Sequence, residues 1–224
     1  MTPKPYLSHS SQNLLGDFSP KCIERWIEQY IYNKKFGINR GMAFGKKMAT
    51  ALENDEDTDD IELNAVMVTI PKFEVRDKIL QDPNGVEVEY YNRETNEIEI
   101  VKLPYIKNGN EKIPILCKPD TNKIDLSAFK EYKTAQKRWT KRQVDENDQI
   151  TFYATGMYLI SKKIPNDIEL DEIETMTNEF GQVVATGNVY RHHTTRSMSQ
   201  ILNMMVRMKK SWSIINKICE EELI

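Results

Sequence analysis

What the chain has little of narrows its class first. It holds three cysteines, Cys22, Cys117 and Cys219, an odd number at wide spacing. That argues against a disulfide framework, points to a reducing, cytoplasmic setting, and leaves no Cys-x-x-Cys pair for zinc or an iron–sulfur cluster. No apolar run approaches the ~18 residues of a membrane span, and residues 1–11 lack the apolar centre of a secretion signal. A glycine-rich phosphate loop is missing, and so is the strand-to-helix turn that exposes a nucleophilic serine. A net charge of −3 gives no general basic surface for nucleic acid.

What is present is enough apolar material for a substantial core: 39% hydrophobic and 29% charged residues in a chain of 224, one large domain or two small ones. The charges are unevenly spread. Residues 53–62 hold seven acids, whereas 130–142 carry six basic residues, Lys130, Lys133, Lys137, Arg138, Lys141 and Arg142. The basic cluster reads either as a local phosphate track or as a solvated lysine-rich loop.

Periodicity predicts a short capped helix over Ser8 to Gly16. A second opens at Pro20, where Ile23, Trp26, Ile27, Tyr30 and Ile31 recur at helical spacing through Tyr32. A third is expected over about Ala43 to Glu53, ended by the acidic run. From Leu63 the period changes to two. Strands are predicted over Ala65 to Ile70, Phe73 to Leu80, Val86 to Tyr91, Ile98 to Leu103, Ile113 to Pro119 and Ala128 to Thr134. Turn chemistry at Asp82-Pro83-Asn84-Gly85 and Asn92 to Asn96 separates some of them. A helix follows over Val144 to about Lys162, then strands over Ile168 to Thr175 and Val183 to Arg191, then a closing helix over Thr195 to Glu222. In that last helix Met198, Ile201, Met205, Met208, Trp212, Ile215 and Cys219 alternate spacings of three and four, a heptad seam. Such a seam packs on the chain's own sheet, or it docks a second copy or a helical partner. With no repeat and no linker, the expectation is one domain, 1–224, built on a mixed sheet flanked by helices.

Chemistry concentrates around the only Pro-Asp pair, Pro119-Asp120, and the only acid-x-lysine triplet, Glu131-Tyr132-Lys133. On a strand, Glu131 and Lys133 point to the same side. A hairpin pairing 120 with 131 would turn near Asp125-Leu126 and bring Asp120 alongside. Two converging carboxylates repel unless a divalent cation lies between them, and a lysine beside them suits phosphate chemistry. A lone acid-x-lysine triplet is more often a same-face ion pair contributing well under ~1 kcal/mol, so the order of the surrounding motifs decides. Two other groups are weaker. Asp55, Asp57 and Asp59 open like a calcium loop, but Asp60 and Val66 stand where that loop needs glycine and glutamate. His192-His193, beside Arg191 and Arg196, reads as a solvated strand end rather than a phosphate contact.

That order resembles the PD-(D/E)XK nuclease superfamily, specifically its RecB-like exonuclease branch. Leu7-Ser8-His9-Ser10-Ser11 with Leu14, Phe18 and Cys22 is similar to the branch's opening segment, and Gly45 with Leu52-Glu53 to its first helix. Lys118-Pro119-Asp120 and Glu131-Tyr132-Lys133-Thr134 are similar to its second and third motifs, and Gln149 with Tyr153 to the Gln-x-x-x-Tyr of the next helix. The likeness spans residues 7 to about 160. It implies an α/β fold, a central mixed β-sheet flanked by helices with a restriction-endonuclease-like core, closed here by the long C-terminal helix. It also implies a Mg²⁺- or Mn²⁺-dependent deoxyribonuclease, an exonuclease in recombination, repair or phage DNA processing. Asp120, Glu131, Lys133, Gln149 and Tyr153 would be catalytic. Asp120, Glu131 and the Tyr132 backbone carbonyl would hold the metal, and Lys137, Arg138, Lys141 and Arg142 would face DNA. Where the branch often places a metal-binding histidine this chain has Ala49, so that ligand is absent or Glu53 serves. The lone Cys219 implies no iron–sulfur cluster. The alternative is a nuclease fold without cleavage, acting as a nucleic-acid or protein binding module.

Overall fold

The structure, a computed structural model, describes residues 4–76, 78–92 and 95–222. The N-terminal elements are β1 (Leu7–Ser8), α1 (His9–Leu15), α2 (Pro20–Tyr30), α3 (Arg40–Asn54) and α4 (Ile61–Thr69). Side chains cap three of these four helix starts. Ser8 accepts from Ser11 N at 3.3 Å, Asn39 from Met42 N at 2.8 Å and Asp60 from Leu63 N at 2.9 Å, each satisfying an otherwise unbonded first-turn amide. Ser11 also accepts from the buried Trp26 indole at 2.9 Å, tying α1 to α2.

The strand block is β2 (Val75–Arg76), β3 (Val86–Asn92), β4 (Glu97–Leu103), β5 (Tyr105–Asn108), β6 (Glu111–Leu116), β7 (Thr121–Asn122) and β8 (Ala128–Ala135). Then come α5 (Lys141–Asp145), α6 (Asp148–Ser161), β9 (Asp167–Thr177), β10 (Val183–Thr194) and α7 (Met198–Glu222). The described strands make three sheets rather than one. The largest has the order β10-β9-β8-β7-β2, a second β1-β6-β5, and β3 with β4 forms a separate hairpin. The β8–β9 pair is parallel and the other pairs of the large sheet are antiparallel, so that sheet is mixed.

Helices cover both faces of the large sheet. Phe129, Ile168 and Leu170 meet α6 through Ile150, Phe152 and Met157, and α7 through Ile201, Met204 and Met208. On the opposite face Tyr132, Ile173 and Ala185 meet Phe44, Met48 and Leu52 of α3 and Leu63, Val66 and Met67 of α4. Gly45 permits this second approach, because a β-carbon there would lie 3.2 Å from Thr134 Oγ1.

Three differences from the sequence expectations have physical causes. Residues 65–69 are helical, within α4, with Ile70 its extended C-cap, because the Asp60 cap starts a turn that buries Leu63, Val66 and Met67 at helical spacing; a short apolar run fits either period. Ile113 to Pro119 is not a strand of the large sheet. β6 ends at Leu116 and pairs with β1 and β5, and a separate two-residue strand, β7, pairs with β8. The long helix predicted from Val144 is broken, with Asn147 capping α6 through Ile150 N at 2.9 Å. The heptad seam packs within the chain's own core, the first of its two readings: Ile201, Met208, Ile215 and Cys219 are buried and Met205 and Trp212 half-buried against them, while Met198 is exposed. No described helix is long and apolar enough to cross a membrane.

Candidate active site

The register of the large sheet assembles the site. Thr121 pairs with Lys130 and Asn122 with Phe129, so Asp120 lies opposite Glu131, the pairing expected from sequence. Lys123 N bonds Ala128 O at 3.0 Å, and Leu126 takes a positive φ of 60° between them. Asp120 is fixed from the neighbouring strand: its Oδ2 accepts from the Tyr132 amide at 2.6 Å.

From the other side α6 closes on the same group. Gln149 and Tyr153, one turn apart, share a face. Lys133 Nζ donates to Glu131 Oε1 at 2.7 Å and to Gln149 Oε1 at 2.8 Å. The Gln149 amide nitrogen donates to Glu131 Oε1 at 2.6 Å and reaches Tyr153 Oη at 3.1 Å. What lets α6 come this close is Gly156, where a β-carbon would lie 2.4 Å from Cys117 Sγ, just ahead of Asp120. Asp120, Glu131, Lys133, Gln149 and Tyr153 are thus one constellation.

Its electrostatics follow from burial. The Glu131 side chain is 3% exposed and that of Lys133 27%. Burial alone would lower the Lys133 pKa, but the charges of Glu131 and Asp120 and the Glu131 hydrogen bond outweigh it and hold the ammonium above its ordinary value. The Tyr153 phenol is pushed well up, by burial first and then by the charge of Glu131. It is a neutral hydrogen-bonding group at working pH.

One neighbour carries no sequence signal. His9, from the start of α1, stands edge-on to Phe152 with ring centroids 5.8 Å apart. Its pKa is pushed down to about 4, by burial first, then by the charge of Lys133. Its Nε2 is buried without a hydrogen-bond partner among the described residues. In the motif reading His9 is only the spacer between two serines.

The remaining candidates are distributed differently. Glu53 lies on α3, but its side chain is outside the described residues. Ala49 lines a small cavity of ≈ 30 Å³ together with Asp120, Thr121 and Tyr132. Of the basic residues, Lys141 pairs with Asp145, Arg142 Nε bonds Glu146 at 3.0 Å, and Arg138 stacks 4.2 Å over the Tyr190 ring. Lys137 is exposed. His192 is not a solvated strand end: it bonds Glu172 at 2.8 Å with little exposure. Arg196 is buried and donates to Thr151 Oγ1 and the Val144 and Asn147 carbonyls, a structural role. A further group, Asp167, Glu169 and His193, offers three ligand atoms within 4.8 Å of one another. It lies on the opposite face from Glu131, because Glu131 pairs with Leu170 and side chains alternate along β9. Glu169 there is already paired with the buried Lys130.

No protein-family model matches the chain, and no curated protein sequence matches it. The solved structures similar to it include two of one protein. One is an alkaline exonuclease, LHK-Exo, from Laribacter hongkongensis, at 10% identity and a TM-score of 0.47, covering 98% of this chain and 92% of that one. The other is LHK-Exo in complex with dAMP, at 9% identity and a TM-score of 0.44, covering 98% and 94%.

Proposed function

We propose that the chain is a metal-dependent nuclease that hydrolyses phosphodiester bonds in DNA. The observation that carries this reading is the convergence of Asp120 and Glu131 from paired strands, with Lys133 bonded both to Glu131 and to Gln149 at 2.7 and 2.8 Å. The donor set fits a hard divalent ion. Two carboxylates, one buried to 3% exposure, offer oxygen ligands of the kind Mg²⁺ and Mn²⁺ take, and the Tyr132 carbonyl would be a third. When bound, such an ion supplies charge neutralisation at the phosphate and a nucleophilic water at neutral pH.

The chain's own residues divide the remaining work. The Tyr132 amide fixes the orientation of the Asp120 carboxylate. Gln149 holds both Glu131 and Lys133, so that the lysine's position is set by two contacts before substrate arrives. The Lys133 ammonium, kept charged by its carboxylate neighbours, would stabilise negative charge developing on the phosphate oxygens. Tyr153, neutral and hydrogen-bonded to Gln149, would keep that amide in register. Exonuclease action, in recombination, repair or phage DNA processing, is the narrower form of the reading; the resemblance over residues 7 to about 160 supports it. Incubation of linear and circular DNA with Mg²⁺, Mn²⁺ or EDTA tests it. Metal-dependent loss of linear DNA alone supports an exonuclease, and nicking of circles an endonuclease. Inert DNA in every metal would remove the proposal and favour the alternative, a binding module, for which Ala49 in the cavity beside Asp120 is the motivating observation.

A further inference from the structure

The sheet edge beyond Asp120 holds two cations that this mechanism does not use. β2 pairs with β7 so that Arg76 lies opposite Thr121, one residue past Asp120. Lys72, from the segment between α4 and β2, lines with Arg76 the same cavity that Asp120 and Ala49 line. At Leu52, Lys72 and Arg76 this cavity meets an open groove of ≈ 500 Å³ between the end of α3, α4 and residues 70–76. The Lys72 side chain is only 17% exposed. Its Nζ reaches the Leu52 carbonyl at 3.3 Å and pairs with the Asp55 carboxylate.

Asp55 answers both cations at once. Its Oδ1 takes Lys72 and its Oδ2 takes Arg76, an arrangement of two anionic oxygens between two cations that a phosphate reproduces. Yet Asp55 is the most exposed member, with a side chain 58% open to solvent. It stands at the C-cap of α3 in a left-handed conformation, φ 54°. An exposed carboxylate holding a lysine and an arginine in water contributes little, so an incoming anion displaces it readily.

We propose that Lys72 and Arg76 form a subsite for one backbone phosphate of the nucleic-acid substrate beside Asp120, occupied in the free protein by the Asp55 carboxylate. The proposal rests on the nuclease reading above and extends it by one substrate contact. Glu56 and Asp57, which also line the groove, repel a second phosphate and confine the subsite to a single one.

The test is binding of a fluorescein-labelled DNA duplex, in EDTA and again with Ca²⁺, across a range of KCl concentrations. Asp55→Asn removes the competitor and raises affinity roughly two- to fivefold, the range set by an exposed ion pair. Lys72→Gln and Arg76→Gln each lower affinity, and the double variant makes the slope of log affinity against log salt shallower by about 0.9, the loss of one phosphate contact. A merely structural ion-pair cluster predicts something else: all three variants melt earlier, and affinity moves in the same direction or not at all. Melting temperatures of the three variants identify any that fails to fold, and Arg76→Gln, which leaves the Leu52 contact intact, then carries the cation arm. Variants that bind with wild-type affinity and slope while the wild type cleaves DNA would overturn the subsite and leave the nuclease reading standing. A wild type that binds no DNA under either condition would overturn both.

Discussion

Removing the positive charge from the centre of the site is the most direct perturbation. In Lys133→Met the chain keeps the length of the side chain but leaves Glu131, 3% exposed, and Asp120 without the ammonium that neutralises them. Deleting one partner of a buried pair costs about 3–5 kcal/mol. Lys133 is 27% exposed, so water screens part of the effect and the lower end, about 3 kcal/mol, applies. For a chain of this size that lowers the melting temperature by roughly 6–12 °C. The loss belongs to the metal-free protein. A divalent ion held by the same carboxylates replaces the missing charge, so Mg²⁺ or Mn²⁺ raises the melting temperature of the variant by more than that of the wild type. Thermal melts of both proteins in EDTA and in a metal series read this directly. Equal melting points in EDTA, or equal metal-induced shifts in the two proteins, would show that Asp120 and Glu131 do not share a cation site with Lys133.

Three further outcomes follow from the same geometry. Asp120→Asn keeps a group able to accept from the Tyr132 amide but removes a charged ligand, so metal-dependent cleavage disappears while the far-ultraviolet circular dichroism is unchanged. Gln149→Ala frees Lys133 from its second contact and lowers kcat by about 10²-fold, in line with the loss of one preorganised group; an unchanged kcat would remove Gln149 from the site. His9, with a pKa pushed from 6.5 to about 4, binds its proton more readily in the unfolded chain. Stability linked to it is therefore complete above pH 6.5 and lost as pH falls towards 4, about 2 kcal/mol between pH 7 and 5. Chemical denaturation of wild type and His9→Phe at those two pH values should differ by that amount, and parallel pH dependences would refute it.

The residues that the sequence made legible are those whose chemistry depends on local spacing. Glu131 and Lys133 share a face because strands alternate, Gln149 and Tyr153 because helices repeat, and the 120–131 pairing followed from counting out from the turn. What stayed hidden depends on contacts distant in sequence. β7 is two residues long, too short for any periodic signal, yet it carries the register that places Asp120. α4 looked extended because its apolar run is short, and the Asp60 cap together with the packing of Leu63, Val66 and Met67 against β10 selects the helix. His9 and Lys133 lie 124 positions apart in a chain of 224, and no pattern of residue types links them.

The alternative of a decayed, purely binding version of the fold has to account for how the charges are kept. Glu131 is almost wholly buried, and Lys133, Gln149 and Tyr153 are ordered around it by hydrogen bonds of 2.6 to 3.1 Å. Well-packed apolar residues of similar volume in place of a buried ion pair are often neutral or stabilising by about 1–4 kcal/mol. Packing therefore gives no reason to hold an acid and an amine here, when Phe129 on the same face of β8 and Ile150 on the same helix are already fully buried. Ala49 removes one expected ligand position from α3, but the cavity it leaves beside Asp120 is bordered by Lys72 and Arg76. The loss is thus on the side where the structure offers cations, which favours substrate phosphate there over a second metal ion. On the proposed reading, a centre whose two carboxylates would hold one ion and whose edge would take a phosphate is a one-metal nuclease, and the metal dependence of Lys133→Met melting separates it from an inert fold.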